Sequence, residues 1–229
     1  MTLDNACSAD VECRRHERRM DRKYRYSRHI FDLSRRFFLI GRNRAVANLR
    51  LDTAQTVLEI GCGTGRNLKR MARLAPGSRF IGVEISSEML KSAHATISRA
   101  GLNSRVELLH GDAARLPPLP STSGNISRIL MSYVLSMVPA WQSAIAAAIE
   151  VLEVGGTLSI VDFGNFGGLP KPVARFCIAS LTRHDAPPCL SLSDQLQCHA
   201  DAGIIKYRHA YRRAGFYQIA TVERLPDAD

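Results

Sequence analysis

Glu59, Glu84, Asp112 and the pair Ser132-Tyr133 each follow a short apolar run, and their types and order could do chemistry together. The first sits in Val57-Leu58-Glu59-Ile60-Gly61-Cys62-Gly63-Thr64-Gly65, where three glycines alternate with small residues. Glycines at 61, 63 and 65 let a backbone turn tightly after a strand and come close to a ligand. A dinucleotide fingerprint needs glycine at position 66, where this chain has Arg66, so the nicotinamide-binding spacing is not met. A carboxylate beside such a loop suits the cationic end of a ligand better than a pyrophosphate. Glu84 lies 19 residues after Gly65, the spacing of an acid that accepts ribose hydroxyls. Asp112, in His110-Gly111-Asp112, can accept from an exocyclic adenine amine. A single strand-end acid is commonplace; the ordered set points to a cationic ligand that carries a nucleoside.

The elements that must position these groups follow from periodicity. Strands are expected at Thr56 to Ile60, Arg79 to Glu84, Arg105 to Leu109, Ile126 to Met131 and Thr157 to Asp162. Helices are expected from Arg66 to Leu74, from a Ser86-Ser87-Glu88 cap to about Ala100, and from Ala140 to Leu152. Gly155-Gly156 reads as the turn into the fifth strand. Helical stretches near 172–183 and 192–202 then precede a terminal hairpin, Ile204 to Tyr211 and Phe216 to Arg224. Strands alternating with helices in this way imply parallel βαβ units with right-handed crossovers. In such a sheet ligands bind beyond the carboxyl ends of the strands, where all four polar features fall.

The chain has 229 residues and a net charge of +10. Between Arg14 and Arg50 stand 13 Lys/Arg against three acids, leaving 18 of each sign for the rest, so the whole surplus lies in one segment. Three regions are expected: a disordered tail at 1–12, a basic aromatic helical lid or membrane-docking segment at 13–50, and an α/β domain at 51–229. No apolar run reaches the roughly 18 residues of a spanning helix. No apolar h-region opens the chain, so no secretory signal is expected. Cys7, Cys13, Cys62, Cys177, Cys189 and Cys198 show no CxxC pairing and no His cluster. They read as reduced cytoplasmic thiols, with no metal site expected.

From about Val57 to Asp162 the chain resembles the class I S-adenosylmethionine-dependent methyltransferases. The motifs that carry this are Glu59-x-Gly61-x-Gly63-x-Gly65, Glu84, Gly111-Asp112-Ala113 and Gly155-Gly156. The resemblance implies a Rossmann-like, doubly wound seven-stranded sheet, mostly parallel with an antiparallel last strand. It implies S-adenosylmethionine as cofactor, its carboxypropyl end and sulfonium near Glu59, Gly61, Cys62, Gly63 and Gly65, and its ribose on Glu84. Adenine would lie near Ile85, Met89, Asp112 and Ala113, with Ser132 at the fourth strand end completing the cofactor set.

The acceptor is read from the N-terminal segment. Tyr24-Arg25-Tyr26-Ser27-Arg28-His29-Ile30-Phe31-Asp32-Leu33-Ser34-Arg35-Arg36-Phe37-Phe38-Leu39-Ile40-Gly41-Arg42 interleaves basic with aromatic residues, as suits an anionic membrane surface. The bland alternative is a lid helix packed over the cofactor. The segment resembles the bacterial betaine-lipid methyltransferases, which act on diacylglyceryl homoserine, through Tyr24, Arg25, Arg28, His29, Ile30, Asp32, Ser34, Arg35, Gly41 and Arg42. That resemblance implies successive N-methylations at the inner membrane face by a cytoplasmic, peripherally bound enzyme, with Tyr24, Arg28 and His29 as the candidate catalytic residues. Arg28 or Arg42 could clamp the headgroup carboxylate, Tyr24 could relay the departing proton, and His29 is a possible base. Met131-Ser132-Tyr133-Val134 is not the Asn/Asp-Pro-Pro-Tyr/Phe of amino-methyltransferases acting on nucleic-acid bases, so DNA is not expected and RNA is disfavoured. Phosphatidylethanolamine, a small molecule or RNA remain alternative acceptors, and a non-catalytic cofactor-binding scaffold is the alternative from another class. Nothing in the sequence bears on oligomeric state.

Overall fold

A computed structural model describes residues 40–51, 56–120 and 124–226. The elements run α1 (Arg42–Asn48), β1 (Thr56–Ile60), α2 (Arg66–Leu74), β2 (Arg79–Glu84), α3 (Ser87–Arg99), β3 (Val106–His110) and β4 (Ile126–Ser132). After a 3-10 turn at Leu135–Met137 come α4 (Trp141–Val151), β5 (Leu152–Phe163), α5 (Lys171–Arg183), α6 (Leu192–Asp201), β6 (Ile205–Arg212) and β7 (Tyr217–Arg224). They build one seven-stranded sheet in the order β3-β2-β1-β4-β5-β7-β6. The first five strands pair in parallel, and β7 lies antiparallel between β5 and β6, as expected.

All five residues of β1 are buried, because helices cover both faces of a parallel sheet. Side chains alternate along it. Leu58 and Ile60 join the core with Ala144, Ile145, Ala148 and Ile149 of α4. Val57 joins the opposite core with Ala45, Val46 and Leu49 around α1 and with Leu68, Met71 and Ala72 of α2. The period of two therefore sends Glu59 to the α2 side of the sheet, beneath the helix that follows the glycine loop. The chain leaves β1 in one direction to reach β2 and β3, and β4 and β5 lie on its other side. The crevice between the carboxyl ends of β1 and β4 is the switch point.

Two local features depart from the sequence reading. Gly155-Gly156 lies inside β5, not ahead of it. The register jumps from Ile126↔Leu152 to Arg128↔Thr157, and Gly155, at φ 76°, lets the extra residues bulge out of the ladder. Helix α1 is the second. At seven residues it has little stability of its own, and it is held by burying Ala45, Val46 and Leu49 against the sheet. Arg128 Nε donates to the Leu49 carbonyl at 2.6 Å, fixing the end of that helix to β4.

Candidate active site

The glycine loop is bound down before any ligand arrives. The Gly61 and Cys62 amides both donate to the Val83 carbonyl, at 2.8 and 3.0 Å, drawing the loop over the end of β2. Gly61 sits at φ 69°, and a Cβ there would meet Val134 Cγ2 at 2.5 Å. A side chain would thus be strained twice, by the backbone and by its neighbour. Glu84 ties the next turn: its Oε2 accepts from Gly63 N at 2.9 Å and its Oε1 from Ser86 N at 3.0 Å. Ser86 in turn caps α3 by accepting from Met89 N. One carboxylate therefore orders the loop and presents its remaining lone pairs to the cleft.

That cleft is lined on one side by Gly61, Gly63, Glu84, Ile85 and Met89, and at its far end by Gly111, Asp112 and Ala113. Asp112 Oδ1 accepts from Ala114 N at 2.9 Å, which fixes its carboxylate in a tight turn. The opposite wall is Tyr133, Val134, Met137 and Val138, from the chain leaving β4. The lining is apolar around a few acids, which suits a nucleoside carrying positive charge.

Glu59 lies under the loop, 1 % exposed. Its Oε1 accepts from Asn67 Nδ2 at 2.7 Å, while Oε2 is buried with no hydrogen-bond partner among the described residues. Burial pushes its carboxyl up to about 8, against the opposing bonds from Asn67 and the Leu68 amide and the field of Arg42. An orphaned buried acceptor beneath the glycine loop, just behind the cleft lining, fits a ligand ammonium. The sign of the pH effect follows. The ligand-free carboxyl is mostly protonated at pH 7, and a cation binds its ionised form. Cofactor affinity should rise about tenfold per pH unit towards about 8, with a proton released on binding, and fall again above it as the ligand's own α-amino group, ordinarily near 8, loses its proton. Titration calorimetry across pH 6–9 checks this; Glu59→Gln should bind weakly with no such slope.

Tyr133 takes φ 57°, which is unusual for a bulky residue and is held by its surroundings. Its amide donates to the Val161 carbonyl at 2.7 Å, its hydroxyl donates to the Ile40 carbonyl at 2.5 Å, and its ring meets Phe163 edge-on at 4.8 Å. Burial keeps its phenol protonated. Behind it Asp162 is fully buried and accepts from the Ser136 and Phe163 amides, at 3.1 and 2.7 Å. Burial raises that carboxyl to about 6 in spite of those bonds. Asp162 thus sets the course of the chain through the 3-10 turn that walls the cleft. The strand-end rule that singles out Glu59 and Glu84 applies to it equally.

The expected cofactor residues divide in two. Gly61, Gly63, Glu84, Ile85, Met89, Asp112 and Ala113 line the cleft together. Glu59, Cys62, Gly65 and Ser132 do not line it. Gly65 caps α2 and packs against Ala93, and Cys62 is 5 % exposed with its thiol toward the position of Gly82, raised well above its usual range by burial. Ser132 is buried, its hydroxyl without a partner among the described residues, and Tyr133 and Val134 face the cleft instead. Tyr24, Arg28 and His29 lie outside the described residues. Sequence reasoning did not find Asn67, Met137 or Val138. Asn67 could have been found from its place in the first turn of α2, on the side to which Glu59 must point. No group of His, Cys, Asp or Glu able to hold a metal occurs among the described residues.

Residues 57–156 match the methyltransferase domain family. The chain is 28 % identical over 115 residues to the trans-aconitate 2-methyltransferase of Azoarcus sp. strain BH72, covering 50 % of this chain and 42 % of that one. It is 31 % identical over 124 residues to the demethylmenaquinone methyltransferase of Tropheryma whipplei strain Twist, covering 54 % and 48 %. The chain thus spans less than half the length of these curated relatives. A solved methyltransferase from Aquifex aeolicus, described as SAM-dependent, superposes with a TM-score of 0.60 over 84 % of this chain and 93 % of that one, at 18 % identity, a likeness of fold. Residues 57–156 are thus similar to the methyltransferase domain family, and they lie on a seven-stranded fold like that of the solved methyltransferase.

Proposed function

We propose that this chain transfers methyl groups from S-adenosylmethionine to the amine of a lipid headgroup, most simply that of diacylglyceryl homoserine, to give a trimethylated betaine lipid. The work would be done on an anionic inner membrane face. The observation that carries the reading is where the basic aromatic segment is rooted. The Ile40 carbonyl is held by Tyr133 of the cleft wall, and Gly41, at φ 93°, lies against Tyr217, where a Cβ would come within 2.6 Å of the ring. The end of that segment, Ile40 to Arg42, therefore lies beside the cleft wall, where an acceptor would enter.

When bound, the cofactor supplies a methyl group already activated on a sulfonium, so the protein's task is to orient the acceptor and exclude water. Glu59 would hold the cofactor ammonium, Glu84 the ribose hydroxyls, and Asp112 with Ile85, Met89 and Ala113 the adenine. Val134, Met137 and Val138 would keep water from the reacting end. Arg42 is half-buried and its charge acts on both Glu59 and Tyr133, so it stands near the head of the cleft. There it would clamp the headgroup carboxylate and, as a cation, favour the neutral, nucleophilic form of the acceptor amine. Each transfer releases one proton from that amine, which Tyr24 would relay outward.

Arg42→Gln tests the clamp. It should raise the KM for diacylglyceryl homoserine by about 10- to 100-fold, the range for a lost charge-assisted pair, with a smaller rise in the cofactor Kd from the loss of its field on Glu59. A raised cofactor Kd with unchanged acceptor KM would assign Arg42 to the cofactor and overturn the clamp. A small-molecule acceptor is the second reading, favoured by the names of the trans-aconitate and demethylmenaquinone relatives. For it, soluble acids and quinones would be turned over and lipid amines would not.

A further inference from the structure

On the side of the glycine loop away from the cleft, α2 and α3 enclose an open trough of about 820 Å³. Six of its eleven lining residues are cationic: Arg66, Lys69, Arg70 and Arg73 from α2, with Lys91 and Arg99 from α3, and none is acidic. The cause lies in α2, whose Leu68, Met71 and Ala72 are buried, so that the intervening positions must face outward. Of the six remaining residues of α2, four, Arg66, Lys69, Arg70 and Arg73, are basic. A concentration of like charge in a concave surface is a cost to the isolated fold and a field for an anionic partner.

We propose that this trough is a second docking surface for an anionic membrane, extending the contact made by the N-terminal segment. Three observations select lipid over other polyanions. Among the described residues no aromatic side chain lines the trough, so they offer no stacking platform of the kind on which single-stranded nucleic acid is held. Leu74, at the end of the cationic row, is 59 % exposed, an apolar contact beside the charges. The trough is also continuous with its neighbours. Arg70 donates to Asn43 of α1, at the root of the basic segment, and Thr64 lines the trough one residue after Gly63 lines the cleft. A membrane seated on α2 and α3 would therefore lie alongside the mouth of the cleft. The inference rests on the membrane half of the proposed function and is independent of which group is methylated.

The test is flotation of the full-length chain, without cofactor or acceptor, on vesicles of phosphatidylcholine alone and with about one-third phosphatidylglycerol. The wild-type chain should float only with the anionic vesicles, and less so as salt screens the contact. Lys69→Gln/Arg73→Gln/Arg99→Gln removes three outward cations from both walls. It should weaken binding by about 100-fold, from about fivefold per lost charge, with cofactor Kd and circular dichroism unchanged. Equal flotation of variant and wild type would confine docking to the N-terminal segment and overturn the proposal. So would a loss confined to binding of an RNA oligonucleotide. If the wild type fails to float at all, both the trough and the membrane half of the function fall. Methyl transfer to lipid in detergent would then still be open to measurement.

Discussion

Glu84→Ala should weaken S-adenosylmethionine binding by about 100- to 1,000-fold, the largest effect expected of any single side chain in the cleft. The carboxylate has two duties. It accepts from the Gly63 and Ser86 amides, and it would accept from the ribose hydroxyls. Bonds to a charged group contribute about 1.5–3 kcal/mol each, and here their loss also frees the loop and leaves two amides without their acceptor. Glu84→Gln should be nearly as damaging. Both carboxylate oxygens face N–H donors, so an amide in their place must turn its NH₂ group onto one of them. Calorimetric titration of both variants checks this; a Gln variant binding within a fewfold of wild type would show that Glu84 does not organise the loop.

The second large effect is on stability. Gly164 follows the end of β5, where its amide donates to the Phe216 carbonyl and the chain passes across Gly215. A Cβ at position 164 would stand 2.2 Å from the Gly215 carbonyl oxygen, and the next nearest atoms, the carbonyl carbons of Gly215 and Tyr217 at 3.0 Å, are backbone too. No rotamer relieves that contact, so the crossing itself must shift. That crossing joins β5, which carries Asp162, to the turn before β7, which completes the sheet beside it. Gly164→Ala should therefore cost about 3 kcal/mol or more and lower Tm by about 6–12 °C in a protein of this size. Gly77 provides the contrast, since a Cβ there meets nothing within 4 Å. Gly77→Ala should leave Tm within about 2 °C of wild type. Thermal melts of the two variants side by side separate steric loss from the general effect of replacing glycine.

Much of this arrangement is legible in the residues, for physical reasons that differ along the chain. The bounds expected for β1, α2 and β2 coincide with those observed, because apolar runs there are bounded by Gly, Pro or a cap that admits one backbone course. The acids at 59, 84 and 112 read correctly as strand-end groups because a parallel sheet puts all such ends on one side. The unread part depends on packing between distant residues. Helix α1 is too short to announce itself and exists through burial of Val46 and Leu49. The place of Gly155-Gly156 inside β5 reflects register against β4. Ser132 and Tyr133 are adjacent, and which of them faces the cleft is decided by Tyr133 turning to positive φ, with its hydroxyl anchored on Ile40. Cys62 stands between two cleft glycines and yet points into the core, an outcome of a turn in which Gly61 and Gly63 both take positive φ.

The most direct measurement incubates the purified chain with methyl-labelled S-adenosylmethionine and mixed micelles of diacylglyceryl homoserine or phosphatidylethanolamine, and counts label in the organic phase. Label on diacylglyceryl homoserine, with little on phosphatidylethanolamine, is the expected result and would make the Arg42 carboxylate clamp the feature to map. Label on phosphatidylethanolamine alone would contradict the clamp. No organic-phase label from a chain that binds the cofactor would contradict the lipid acceptor altogether.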